Sequence, residues 1–193
     1  MLNPGLPQAL WTSLDGRLWH ATASDGLSKI LSDSEIQPAI GNRYKSSFCR
    51  SQGSVSLFDF GPAAVDIEGQ FDNWCGWLGH QQESRVAIWL EIDRMKTIEA
   101  LTDAAEARQK WHKNPSKTFI PGVESCHKGP IPVASVARVL LIARDDREIF
   151  EQYDGLNADV LQRAKAFERK LPAPAEDRVV EILRAGRTRR DNG

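Results

Sequence analysis

Two places in this 193-residue chain carry side chains suited to binding and converting a small molecule. The first is His20 and Thr22, two positions apart in a segment that follows the turn pair Asp15 and Gly16 and is predicted to be a strand, so that both side chains share a face. An imidazole and a hydroxyl both donate and accept hydrogen bonds, and together they can hold a vicinal diol such as a ribose. On spacing alone, two polar residues on the solvated face of a strand are the alternative.

The second place is Glu124, a lone carboxylate in an apolar segment shortly before Gly129 and Pro130. A buried carboxylate is costly unless it is paired or has a function, so its position indicates a candidate acid or charge stabiliser. A surface glutamate at a strand edge is the alternative.

Other kinds of site are not predicted. The chain has no phosphate-binding glycine loop, no dinucleotide-binding glycine turn and no serine nucleophile elbow. Cys75, His80, Cys126 and His127 lack the close ligand pairs that build zinc sites, and we expect no metal. Cys126 and His127 are adjacent on a predicted strand and point to opposite faces, so the imidazole does not activate the thiol.

Composition indicates an ordinary globular protein of one domain. A net charge of −1 gives no overall attraction to nucleic acid or anionic lipid, and no apolar run is long enough to span a membrane. The N-terminus does not resemble a signal peptide, and three widely spaced cysteines indicate free thiols in a reducing compartment. We therefore expect a cytoplasmic protein.

The elements that must position these residues alternate along the chain. Strands are predicted at 17–22, 54–58, 86–92 and 136–143, and an extended segment at 117–126. Helices are predicted at 24–31, 69–82 and 98–111, and residues 38–53 form a polar loop. Beyond residue 145 the charged segments 145–171 and 176–188 are predicted to be helical, with a break at Pro172 and Pro174. This pattern is typical of an α+β fold with a C-terminal helical appendage.

The order of these pieces resembles the ADP-ribosyltransferase-like superfamily, which includes diphtheria-toxin-type transferases, RNA 2′-phosphotransferases and bacterial toxins. A strand bearing His20 and Thr22 leads into a helix at 26–31 (GLSKIL), as at the start of those folds. Residues 53–58 (GSVSLF) are similar to the strand that follows their nicotinamide-binding loop, and Glu124 stands on a late strand where they commonly place the catalytic acid. The match covers roughly residues 17–143 and implies split antiparallel sheets with flanking helices.

The resemblance implies an ADP-ribosyltransferase-like domain at 10–145, a helical extension at 146–193 and NAD as the bound cofactor. Glu124 would be catalytic, and Arg43, Lys45 or Arg50 would meet the pyrophosphate. Tyr44, or else Trp74 or Phe71, would stack on nicotinamide. The implied cofactor-binding set is His20, Thr22, Arg43, Tyr44, Ser54 and Ser56. The acceptor, a protein or a nucleic acid, stays open, and a toxin-like member would have an antitoxin-type partner.

One departure bears on the acceptor. Arginine-modifying members carry Glu-x-Glu at the acid, whereas Gly122 stands two positions before Glu124, which makes an arginine acceptor less expected. Two other interpretations stay open. A non-enzymatic accessory module could use Trp74 and Trp77 as an interface. An RNA 2′-phosphotransferase-like enzyme would need a clearer pattern of basic residues than the scattered arginines of this chain.

Overall fold

The computed structural model describes residues 6–39, 45–78, 84–113 and 115–172. In this part of the chain the helices are α1 (Gln8–Leu14), α2 (Ser24–Asp33), α3 (Phe48–Ser51), α4 (Phe71–Cys75), α5 (Arg94–Thr97), α6 (Ala104–His112) and α7 (Asp159–Lys170). The strands are β1 (Leu18–Thr22), β2 (Glu35–Ile36), β3 (Ser54–Asp59), β4 (Val86–Ile92), β5 (Leu101–Thr102), β6 (Glu124–Lys128), β7 (Ile131–Pro132), β8 (Val136–Ala143) and β9 (Phe150–Asp154). None of these described helices is both long enough and apolar enough to cross a bilayer.

Seven strands form one antiparallel sheet in the order β5-β6-β3-β1-β4-β8-β9, while β2 and β7 pair separately. β4 and β8, the two most continuous apolar runs of the sequence, pair along the whole of β4. Every residue of β4 except Glu91 is buried, so both faces of the sheet need cover. Helices supply much of that cover on each face. The predicted α+β class is confirmed.

Two hydrophobic clusters lie on the two faces of the sheet. On one face, α2 and α7 cover Leu18, Ile88, Leu90 and Leu141. On the other face, the tryptophans of β1, β4 and α4 pack with the apolar side chains of α1. Burial of each large apolar side chain contributes about 1.5–3 kcal/mol to the free energy of folding. These clusters therefore hold in place the strands that carry the candidate site.

A third, smaller cluster joins α3, α6 and β6, and it contains a disulfide. Cys49 and Cys126 are bonded, with Cα atoms 5.2 Å apart, and Cys75 is free and buried. The prediction of three free thiols is therefore wrong for this pair. The two cysteines are 77 positions apart, and only the packing of α3 on β6 brings them together. Because disulfides persist mainly in oxidising compartments, the cysteines no longer favour the cytoplasm, and the cellular location stays a prediction.

Several predicted elements differ from the structure, and one of them is the predicted loop 38–53, which contains the helix α3. Residues 150–154 form the edge strand β9, paired with β8, where a helix was predicted, because β8 offers an open sheet edge and because Phe150 and Tyr153 pack against the hydrophobic clusters of the two faces. The helix predicted at 98–111 begins at Ala104, where the Asp103 side chain caps it. The helix predicted at 69–82 is α4 followed by a 3₁₀ turn as far as Leu78. The helix predicted at 176–188 lies outside the described residues.

Candidate functional site

A cleft opens where β1 and β3 stop pairing inside the large sheet. Both strands are described in full, and β1 pairs with β4 along its whole length but with β3 at only two residue pairs, Leu18–Asp59 and Trp19–Phe58. Beyond Trp19 the two strands diverge, although β3 stays paired with β6. A cavity of about 270 Å³ lies at this split, bordered by the start of α2, the chain around α3 and the segment before β6.

His20 lines this cavity from β1, and its ring bridges the split. Its Nδ1 lies 3.1 Å from the carbonyl oxygen of Ser56 on β3. Since a carbonyl only accepts, Nδ1 carries the proton, and Nε2 of the neutral ring keeps its lone pair. Burial lowers the pKa of His20, although the Ser56 carbonyl opposes this effect, so the ring is neutral around pH 7. His20 can therefore accept a hydrogen bond from a ligand.

Thr22 lines the same cavity and lies against the first turn of α2. Thr22 as a whole is 7% exposed. A Cβ atom on Gly26 would stand 2.3 Å from the Thr22 Oγ1, so the helix can begin this close to the strand only because residue 26 is glycine. Gly26 also lines the cavity. The segment from His20 to the start of α2 therefore forms one wall of the site.

Glu124 lies on the opposite side of the split, at the start of β6, and it is 6% exposed. Its Oε1 accepts a hydrogen bond from the Ser56 hydroxyl at 2.5 Å, and its Oε2 accepts one from the Ile120 backbone N–H at 2.9 Å. Both donors are neutral groups. Burial raises the pKa of Glu124 to about 7, even though the two hydrogen bonds act to lower it. Around neutral pH this carboxyl group is therefore partly protonated, and a positive charge nearby favours the carboxylate.

A tight turn before β6 fixes the Glu124 side chain. The backbone N–H of Glu124 donates to the Ile120 carbonyl at 2.9 Å, which closes the turn over Gly122. Gly122 has a φ of +80°, and a Cβ atom there would stand 2.7 Å from the Val65 side chain. The Val65 backbone N–H also donates to the Gly122 carbonyl at 2.9 Å. The loop around Val65 thus holds the turn at 120–124 in place, and this turn positions the Glu124 carboxylate at the cavity.

The structure brings five of the predicted site residues to one cavity. They are His20, Thr22, Ser54, Ser56 and Glu124. Ser54 and Ser56 alternate on β3, so they share a face, and Ser56 contacts both His20 and Glu124. Arg43 and Tyr44 lie outside the described residues. Of the other two cations named for the pyrophosphate, Arg50 lines the cavity and Lys45 does not.

The aromatic side chains at the cavity are Phe58 and Trp77, whose ring centroids are 5.9 Å apart. Trp74 is fully buried in the core, and its Nε1 donates to the Ile67 carbonyl at 2.8 Å. Phe71 packs against Trp74 and does not line the cavity. Neither Trp74 nor Phe71 is therefore placed to stack on a ligand in this cavity. Phe58 continues the alternation of Ser54 and Ser56, a signal by which sequence reasoning could have found it.

Three residues near the site, Arg17, Cys126 and His127, have structural roles. Arg17 donates to the carbonyls of Thr12 and Ser13, both at 2.9 Å, and its Nε lies 3.5 Å from Glu91. It joins the end of α1 to the sheet and does not line the cavity. Cys126 is in the disulfide, and the neighbouring His127 contacts the Gly129 carbonyl.

Comparison with models of known protein families and with curated proteins finds no match for this chain. Its function is therefore inferred from the geometry and chemistry of the cavity.

Proposed function

We propose that this chain is an NAD-dependent ADP-ribosyltransferase. The observation that carries the proposal is the setting of Glu124, a buried carboxylate held by two neutral donors in a cavity shared with His20 and Thr22. Such a group is suited to a ligand on which positive charge develops within the site. The divergence of β1 from β3 also supports the proposal, because the resemblance implies split antiparallel sheets.

The cavity suits the nicotinamide half of NAD. Its volume of about 270 Å³ is near the lower end of typical ligand sites, which occupy roughly 300–1,000 Å³, so the rest of the dinucleotide would extend towards the mouth. Phe58 and Trp77 contribute aromatic surface to the lining, against which a planar ring can pack. Arg50, which also lines the cavity, is suited to the pyrophosphate.

The reaction breaks one bond and forms another at the same carbon. NAD supplies the activated bond: nicotinamide leaves with the bonding electron pair, and an acceptor nucleophile bonds to the ribose C1′ and releases a proton. The Glu124 carboxylate attracts the charge that develops at C1′ more strongly than it attracts the neutral ribose, and this difference lowers the barrier. Each Glu124 oxygen accepts one protein hydrogen bond and can also accept one from a ribose hydroxyl.

The non-enzymatic alternative loses support from the position of Trp74. An interface needs exposed anchors, and Trp74 is fully buried in the core, while Trp77 faces the cavity. The turn before Glu124 also bears on the acceptor. Gly122 stands where arginine-modifying enzymes carry a second acid, and its positive φ disfavours a residue with a side chain. We therefore do not propose arginine as the acceptor.

The test is the rate at which the full-length protein releases nicotinamide from NAD. Glu124→Gln removes the charge and keeps the shape, so it should bind NAD but turn over about 10²–10³ times more slowly. Glu99→Gln, at an exposed position outside the cavity, is the matched control and should behave as wild type. Equal rates for wild type and Glu124→Gln would remove the main support for the proposal.

Binding is tested separately with His20→Ala. This variant should bind NAD more weakly by calorimetry and still unfold cooperatively as a native protein, because the imidazole faces the cavity and contributes only one hydrogen bond to the fold. Unchanged affinity would exclude His20 from the cofactor site.

A further inference from the structure

A group of basic residues lies on two segments that also contribute residues to the wall of the cavity. The described parts of these segments, 45–51, 104–113 and 115–118, pack together around Phe48 and Phe119, whose ring centroids are 5.2 Å apart. The Phe48 backbone N–H donates to the Thr118 carbonyl at 3.0 Å, which joins the two segments directly. Ser46, Ser47, Arg50 and Thr118 also line the cavity. We call the surface of these two segments the basic platform.

The platform is strongly positive in a chain that is nearly neutral overall. Its one acidic residue is Glu106, which pairs with Lys110 at 2.8 Å. The chain as a whole has a net charge of −1, so positive charge is concentrated beside the cavity. The six basic residues of the platform are Lys45, Arg50, Arg108, Lys110, Lys113 and Lys117.

Aromatic rings stand among these cations. The rings of Trp111 and His112 are 5.2 Å apart, Trp111 is half-buried and His112 is exposed. Trp111 is held in place by its Nε1, which donates to the Lys117 carbonyl at 2.8 Å. Cations that follow a phosphate backbone, together with rings on which bases stack, are the features that bind single-stranded nucleic acid.

A lipid surface fits these features less well. Helices that lie on membranes present an apolar face, and the apolar face of α6 is used in the small core with Ala104 and Ala107 fully buried. Among the described residues the exposed large apolar side chains are Val65, Met95 and Ile98, and none belongs to the platform. The platform therefore has charge for phosphates but no anchor for a bilayer.

We propose that the basic platform binds a single strand of nucleic acid and presents it to the cavity as the acceptor. A single strand fits because a base paired in a duplex would first have to leave its stack to enter a cleft. The role as acceptor rests on the proposed function. In that step the bond from C1′ to nicotinamide breaks, a nitrogen or oxygen of the strand bonds to C1′, and its proton passes to solvent. Binding of the strand does not depend on that reaction.

The test measures binding of labelled single-stranded DNA and RNA to the full-length protein by fluorescence anisotropy over a range of salt concentrations. An oligonucleotide of about 20 nucleotides exceeds the ~4–16 nucleotides that one binding groove usually covers. The variant is Lys113→Glu with Lys117→Glu. The control is Lys165→Glu with Arg169→Glu on α7, the same change in charge at exposed positions away from the cavity.

Each phosphate contact on a single strand contributes ~0.7 to the magnitude of the slope of log affinity against log salt. If both lysines contact phosphates, the variant should therefore show a slope smaller in magnitude by about 1.4. We expect at least a tenfold loss of affinity at low salt, and wild-type behaviour from the control. Lys113→Ala with Lys117→Ala keeps the test valid if the reversed charges unfold the protein, and its slope should fall equally.

Three results would overturn the proposal: no binding by wild type at low salt, an equal loss in the platform and control variants, or equally tight binding of a polyglutamate peptide of matching charge. Nicotinamide release by the same preparations separates the two proposals. Release without oligonucleotide binding overturns the platform alone. Binding without release overturns the proposed function and the acceptor role of the strand, and leaves only strand binding by the platform.

Discussion

Replacing Glu124 with glutamine should make the protein more stable at alkaline pH while it silences the activity. The folded-state pKa of Glu124 is raised from 4.5 to about 7 by burial. Between these two values the folded protein keeps a proton that the unfolded chain has released. The free energy of unfolding therefore falls as the pH rises through this interval, and it stays low above pH 7. A glutamine has no such proton to lose.

The expected magnitude follows from the size of the shift. The interval from 4.5 to about 7 corresponds to about 3 kcal/mol, at ~1.4 kcal/mol for each pKa unit. Glutamine can satisfy the same neighbours, because its carbonyl can accept from the Ile120 N–H and its amide can donate to the Ser56 hydroxyl. The variant should thus approach an advantage of about 3 kcal/mol at pH 8 and have almost none below pH 4.5.

The assay is urea unfolding, followed by tryptophan fluorescence, across this pH range for wild type and Glu124→Gln. The quantity that decides is the difference between the two unfolding free energies at each pH. A difference that stays constant from acid to alkaline pH would refute the reasoning, because it would show that Glu124 has an ordinary pKa and is solvated. Glu99→Gln, at an exposed position, should follow wild type throughout.

Three further predictions concern the supports of the site. Gly26→Ala should lower the free energy of unfolding by about 1–3 kcal/mol through overpacking on Thr22, as measured by urea unfolding, and adding Thr22→Ala should recover part of the loss. Truncation after residue 145 removes β9 and α7 from the sheet and its core, so near-ultraviolet circular dichroism should show lost tertiary packing; a native spectrum would instead support a separable extension. Reduction of the Cys49–Cys126 disulfide should cost about 2–5 kcal/mol in urea unfolding with and without dithiothreitol, and an unchanged midpoint would show that the bond adds nothing.

The parts of the site that repeat with the period of a strand could be predicted from the sequence. His20 and Thr22 share a face because they are two apart, and Ser54 and Ser56 do so for the same reason. The convergence of Glu124 with Ser56 is different, because it depends on the pairing of β3 with β6 at Phe58–Glu124. Here only the resemblance suggested that these distant segments meet, since no local pattern specifies a register between them.

The elements that were mispredicted depend on distant partners. The segment 150–154 lies within the charged stretch 145–171 that was predicted to be helical, yet it forms a strand because β8 offers it an edge and because Phe150 and Tyr153 suit a strand. Cys49 and Cys126 meet through a core that no spacing of cysteines indicates. Trp74 and Trp77 look alike in the sequence, but α4 ends at Cys75, so one ring enters the core and the other faces the cavity.

The divergence of β1 from β3 gives this sheet two edges in its interior. Peptide groups of residues 20–22 and 54–57 lie along strand edges that face each other across the cavity, and the Ser56 carbonyl is already contacted by a side chain instead of a neighbouring strand. A ligand in the gap can form main-chain hydrogen bonds to both β1 and β3 and so connect the two halves of the sheet. Main-chain contacts of that kind survive every side-chain substitution, so alanine scanning of the cavity will understate the binding free energy. Hydrogen bonds from the ligand to both strands should also slow amide hydrogen exchange in β1 and β3 together.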